Sequence, residues 1–208
     1  MVTPALLLAL LAAPQGPVES DPWRIDTFPL SNGAEELALE VGGLAFLPGG
    51  ELLACTRRGE VWLVADPLAD DPADARFSLW ADGLQAPLGL LVHAGWIYTT
   101  QRGELSRMRD ADGDGRMDEL ETVCDGWRIS GNYHEYNFGP RLGADGNFWI
   151  TTNKPFGSEP FGRVDWRGYA LRIAPDGTWQ PMACGLRSPA GVEVSPWGDA
   201  FYTDTDAW

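Results

Sequence analysis

Basic side chains are scarce in this chain of 208 residues: 15 Lys and Arg stand against 30 Asp and Glu, giving a net charge of −15. So acidic a surface repels phosphate backbones and anionic lipid, which argues against nucleic acid and anionic membrane as partners. Histidine is scarcer still, with only His93 and His134. Cysteine is limited to Cys55, Cys124 and Cys184. Three cysteines cannot all pair, and their wide spacing resembles neither a zinc site nor a disulfide framework, so they read as small buried apolar residues. After residue 20 no apolar run is long enough to cross a membrane, and no stretch keeps a helical period.

The one long apolar run, VTPALLLALLAA at residues 2–13, has the length of a secretory signal and is short for a membrane span. No Lys or Arg precedes it, and Pro14 follows the Ala12-Ala13 pair at which cleavage would fall. The expectation is an exported chain, with residues 1–22 as signal peptide and linker and residues 23–208 as one domain. Residues 23–30 read as its lead-in strand.

Turn formers are abundant, with 25 Gly and 16 Pro spread along the chain. They punctuate a repeat anchored at Gly43, Gly89, Gly139 and Gly191, at spacings of 46, 50 and 52 residues. In each unit a short apolar strand leads to a second glycine (Gly50, Gly95, Gly146, Gly198), then to a second strand ending in threonine. The first two units add a third strand after a polar turn, at Arg57-Arg58-Gly59 and Gln101-Arg102-Gly103. RFSLWA, ETVCDGW and TWQPMACGL supply fourth strands. Four strands in each repeat of this length is the pattern of a β-propeller. A β-sandwich also uses short strands but gives no reason for a recurring signature. The reading is an all-β propeller of the six-bladed type, with about three and a half blades present, hence a fragment of a longer ring.

Propeller geometry sorts the loops. Loops between blades, and loops between second and third strands, open on one face around the axis. In two inter-blade loops the glycines stand six positions apart (Gly83 to Gly89, Gly185 to Gly191), whereas Gly126 and Gly139 stand thirteen apart. His134 sits in that insertion. An imidazole there can act as a general base near neutral pH. The metal-ligand alternative is weaker, because no second histidine or cysteine shares the face. A structural histidine bonded between backbone groups stays open. Gln85 and Arg187 occupy the corresponding loops, and Arg57, Arg58, Arg102 and Lys154 the other loops of that face, which suits an anionic ligand.

On the opposite face, Asp110, Asp112, Asp114, Arg116, Asp118 and Glu121 match the twelve-residue calcium loop, with carboxylates at positions 1, 3, 5, 9 and 12. Gly115 stands at the sixth position, and Arg116 offers its carbonyl at the seventh. The flanks are strands, so this is no helix–loop–helix sensor.

GGLAFLPGGELLACTRRGEVWLV, RDADGDGRMDE, GNYHEYNFGP and GLRSPAGVEVSPWGDAFYTD together resemble the glucose/sorbosone dehydrogenase-like soluble quinoprotein propellers. More closely, they resemble the large exported membrane-bound-dehydrogenase proteins of planctomycete-type bacteria. The resemblance implies pyrroloquinoline quinone (PQQ) and calcium as cofactors, a sugar or polyol as substrate, and a cytochrome or quinone as electron acceptor. It puts His134 at the catalytic base and Arg187 at the quinone-contacting arginine, with Ser188 where the enzymes carry asparagine. The alternative is a non-catalytic, calcium-containing propeller that binds carbohydrate or a partner protein through Trp127, Tyr133, Tyr136 and Phe138. A metal-dependent lactonase-like propeller is disfavoured, since the loops of the His134 face lack converging carboxylates.

Overall fold

Turn chemistry sets the strands. In the computed structural model, which describes residues 26–29, 39–155 and 164–205, Pro48-Gly49-Gly50 reverses the chain between β1 (Val41–Phe46) and β2 (Leu52–Thr56). Gly50 N donates to Leu47 O at 3.0 Å, and Gly50 takes a φ of 99° that only glycine adopts at little cost. β3 (Val61–Ala65) and β4 (Arg76–Ala81) complete an antiparallel sheet in simple order. β5 (Leu91–His93), β6 (Trp96–Thr100), β7 (Leu105–Arg109) and β8 (Glu119–Cys124) form a second. β9 (Asn137–Leu142), β10 (Phe148–Thr152), β11 (Tyr169–Ile173) and β12 (Trp179–Cys184) form a third. β13 (Val192–Val194) and β14 (Ala200–Tyr202) make a two-stranded sheet.

The sheets stack as blades. Leu53, Cys55, Val61 and Trp80 meet Leu90, Ile97 and Met108 in one core, between the first two blades. Tyr98, Leu105 and Cys124 meet Phe148, Ile150, Leu171 and Ile173 in another, between the second and third. The second strand of a blade is therefore buried along nearly its whole length, as in β10, whereas the outer strand β12 is mostly exposed.

The anchor glycines acquire a cause here. A Cβ added to Gly43 would come within 2.5 Å of Gly89 Cα, and one added to Gly89 would strike the carbonyl of Gly139. The inner strands of successive blades thus touch backbone to backbone, and side chains are excluded where they meet. The repeated threonine acts at the same seam: Thr100 Oγ1 donates to Gly139 O at 2.6 Å.

Three expectations need amendment. Cys55 and Cys124 are buried but Cys184 is exposed, at the end of β12, the outermost strand of its sheet. Of the lead-in strand, residues 26–29 are described and carry no ladder; Phe28 instead sets its ring edge-on to Phe77 of β4, at 6.2 Å. β8 starts at Glu119, two residues before the ETVC expected. The signal-length segment lies outside the described residues. No helix among the described residues is long and apolar enough to cross a membrane.

Candidate functional site

The loops of one face are stitched together by the backbone. Leu84 N donates to Gly59 O at 3.0 Å and Leu186 N to Gly168 O at 3.1 Å, so each inter-blade loop leans on the second-to-third-strand loop of the blade it leaves. Arg102 N donates to Gln85 O at 3.1 Å, and Lys154 N to Arg187 O at 3.0 Å. Asn153 N reaches Tyr136 O at 2.8 Å. Arg102 Nη2 donates to Asn132 O at 2.9 Å, two residues before His134. Gln85, His134 and Arg187 therefore stand in three loops joined by continuous hydrogen bonding.

His134 is half-buried, its amide donating to Asn132 Oδ1 at 3.0 Å. Tyr133 lies against its ring, centroids 3.8 Å apart. Gln85 has an exposed side chain, and its amide is held by Gln101 Oε1 at 2.6 Å. The backbone at Arg187 and Ser188 is fixed by Asp204, whose oxygens accept from the two amides at 2.8 and 2.7 Å.

The cations of this face divide in two. Arg57 and Arg58 are exposed and share Glu40, at 3.0 and 3.5 Å. The Arg57 hydrogen bond holds the Glu40 carboxyl below the usual carboxylate range. Arg57 also donates to the Tyr136 hydroxyl at 3.0 Å, and Arg102 lies 5.6 Å from the centre of that ring. Arg102 Nε and Asn153 Oδ1 are buried without a hydrogen-bond partner among the described residues. Such groups stay costly until something bonds them. Of the aromatics expected to form a binding surface, Tyr133 is 67% exposed, while Trp127 is buried and donates its indole N–H to Arg102 O.

Two buried charges escaped the sequence reading. Glu135 is 1% and Arg167 5% exposed. A signal for Arg167 was present: Arg58-Gly59, Arg102-Gly103 and Arg167-Gly168 recur just before the third strand of each blade. Glu135 has no such signature.

On the opposite side, the acidic loop between β7 and β8 brings Asp110, Asp112 and Asp118 together, one oxygen of each within 4.8 Å of the others. Asp110 accepts from Gly113 N and Gly115 N at 2.7 and 2.8 Å, and Asp118 from Ala111 N at 2.8 Å. Asp114 accepts from Arg116 N and stands outside that trio. Glu121 is already in β8 and pairs with Arg107 at 2.6 Å. The loop is docked on the first blade, Met117 N donating to Trp80 O at 2.8 Å.

Three sequential four-stranded antiparallel blades, packed face to face around their inner strands, define a β-propeller with a loop-built face. The chain matches, over residues 46–208, the family described as "Domain of unknown function (DUF7133)", and it belongs to that family. No curated protein matches it. Among solved structures it is similar to the PQQ-bound aldose sugar dehydrogenase of Streptomyces coelicolor, with TM-score 0.64 and 19% identity over 80% of this chain and 57% of that one. A Thermus thermophilus oxidoreductase described as a glucose dehydrogenase gives TM-score 0.60 and 23% identity, over 76% and 56%. Virginiamycin B lyase from Staphylococcus aureus gives TM-score 0.51 and 13% identity, over 79% and 49%. The chain thus spans about half the length of these proteins.

Proposed function

We propose that this propeller is the core of a PQQ-dependent sugar or polyol dehydrogenase in which His134 is the general base. One observation supports this above the rest: the enlarged loop bearing His134 is hydrogen-bonded into the same face as the Arg187 and Gln85 loops. A lyase shares the fold, so the fold alone does not choose the chemistry.

PQQ is a polycarboxylate, and the residues present suit it. Arg102, Lys154 and Arg187 are cationic, and the orphaned Arg102 Nε is a buried donor that an anionic oxygen would satisfy. When bound, the quinone supplies the two-electron acceptor that no side chain provides. Arg187 would hold one of its oxygens, with Gln85 at the loop edge. His134 takes the proton of the substrate hydroxyl, and its half-buried ring is shielded on one side by Tyr133. A cytochrome or quinone would accept the electrons, and export would follow from residues 2–13.

Calcium is proposed at Asp110, Asp112 and Asp118. Three hard oxygens on one short loop suit a hard divalent ion. Arg116 would offer its carbonyl, while Asp114 and Glu121 would have to turn inward from their present partners.

The test is reconstitution of the full-length protein with PQQ and calcium, reading dye reduction with sugars. His134→Ala should leave quinone affinity nearly intact and lower turnover by roughly 10²–10⁴-fold. Arg187→Ala should weaken quinone binding, since a charge-assisted contact is lost. A wild type that binds no quinone sinks the dehydrogenase reading, and oligosaccharide binding on the same face would favour a carbohydrate-binding propeller.

A further inference from the structure

The residue after His134 is a buried acid. Carboxylates are almost never fully buried unless partnered, and Glu135 is partnered densely. Its two oxygens each accept Ser130 N at 2.9 Å, one accepts Ser130 Oγ at 2.7 Å, and the other accepts Gly131 N at 3.1 Å. Everything that converges on it is a donor. An ionised carboxylate is the side chain that only accepts, whereas a glutamine would turn an N–H₂ onto an N–H.

Arg167 completes the arrangement from the loop between β10 and β11. It donates to Arg128 O at 2.8 Å and to Tyr136 O at 3.4 Å, the two limbs of the His134 loop. It also donates to Asn137 Oδ1 and Arg102 O, both at 2.7 Å. Burial pushes its guanidinium down to about 10, and the charge of Glu135 acts in the opposite direction. The loop is thus closed from within by an acid and spanned from the neighbouring strand loop by a base. Such a device fixes a displayed side chain without touching a substrate.

We propose that Glu135 is the positioning residue of this site, holding residues 130–134 and hence the imidazole of His134, with Arg167 as its buried counterpart. The role in turnover rests on His134 being the base; the clamp itself does not.

The experiment uses the full-length protein and the variants Glu135→Gln and Ser130→Ala, the second removing one hydrogen bond with less risk to folding. Comparison with His134→Gln identifies the ring signals of His134 in NMR spectra. The adjacent Tyr133 ring must displace those signals. In Glu135→Gln that displacement should collapse, and the Ser130 and Gly131 amides should exchange at least about tenfold faster. With PQQ loaded, kcat should fall by about 10²-fold, as expected for a reacting group misplaced by an ångström, while the quinone dissociation constant holds. Ser130→Ala should give the same changes, smaller, and it decides the matter if Glu135→Gln does not fold. Wild-type ring shifts and amide exchange in the folded variants would overturn the clamp. A loosened loop with unchanged kcat would overturn the positioning role. If the wild type turns over no sugar but the spectra change as stated, the dehydrogenase reading fails and the clamp stands.

Discussion

Cys55 and Cys184 differ in what covers them, and their chemistry should differ accordingly. Burial pushes the Cys55 thiol from 9.0 up to about 11, and its Sγ donates to Pro87 O of the following inter-blade loop at 3.5 Å. Cys184 is exposed on β12. A thiol reagent at neutral pH should modify Cys184 quickly and reach Cys55 and Cys124 only after unfolding. Because the folded pKa of Cys55 is the raised one, its contribution to stability is whole below pH 9 and is lost as pH rises towards 11. Denaturant melts across that window should show the loss, and Cys55→Ala should remove that part of the slope. The residues of the candidate site were legible unevenly for a related reason. His134 announced itself by loop length, a property of spacing, as the recurring Arg-Gly pairs could have announced Arg167. Glu135 depends on which donors converge after folding, and no periodicity records that.

At the scale of elements, the repeated glycines and the acidic loop carry the blade seams. Gly50 and Gly89 both hold positive φ, 99° and 141°, but only Gly89 abuts the next blade. Gly50→Ala should cost about 1–2 kcal/mol, the backbone penalty alone. Gly89→Ala adds a clash with the Gly139 carbonyl to a backbone strain of about 1–3 kcal/mol, and should unfold the chain at visibly lower denaturant. Equal shifts for the two would refute the seam account. The spacing of these glycines made the blades readable before any coordinate was known, since close backbone approach leaves a single residue type at a fixed interval. The acidic loop was readable as a motif, but its docking on Trp80 through Met117 was not, because that contact joins different blades. If calcium fills the loop, a concentration of 100 Kd should add about 2.7 kcal/mol of stability. Asp112→Asn, which keeps an acceptor for Asp114 N, should abolish the response. Thermal melts with calcium and with chelator decide this, and indifference to both would leave only an acidic turn.

Across the whole molecule, apolar side chains stand uncovered at the two ends of the row of blades. Val41, Leu44 and Phe46 on β1 are each more than half exposed, as are Trp197 and Phe201 beside and within β14. Unpaired strand edges with apolar faces invite association. Recombinant residues 1–208 should therefore sediment as more than a monomer, and a concentration-independent monomer would contradict this. The contacts between blades have a mechanical consequence. Every seam joins a blade only to its neighbours; at the first two the inner strands meet glycine backbone to glycine backbone, with the Thr100 hydroxyl added at the second. Under tension the chain should come apart as beads do, one blade at a time from an end, and not as a single block. With blades recurring every 46 to 52 residues, each rupture in a force trace should release about 15–19 nm of extended chain.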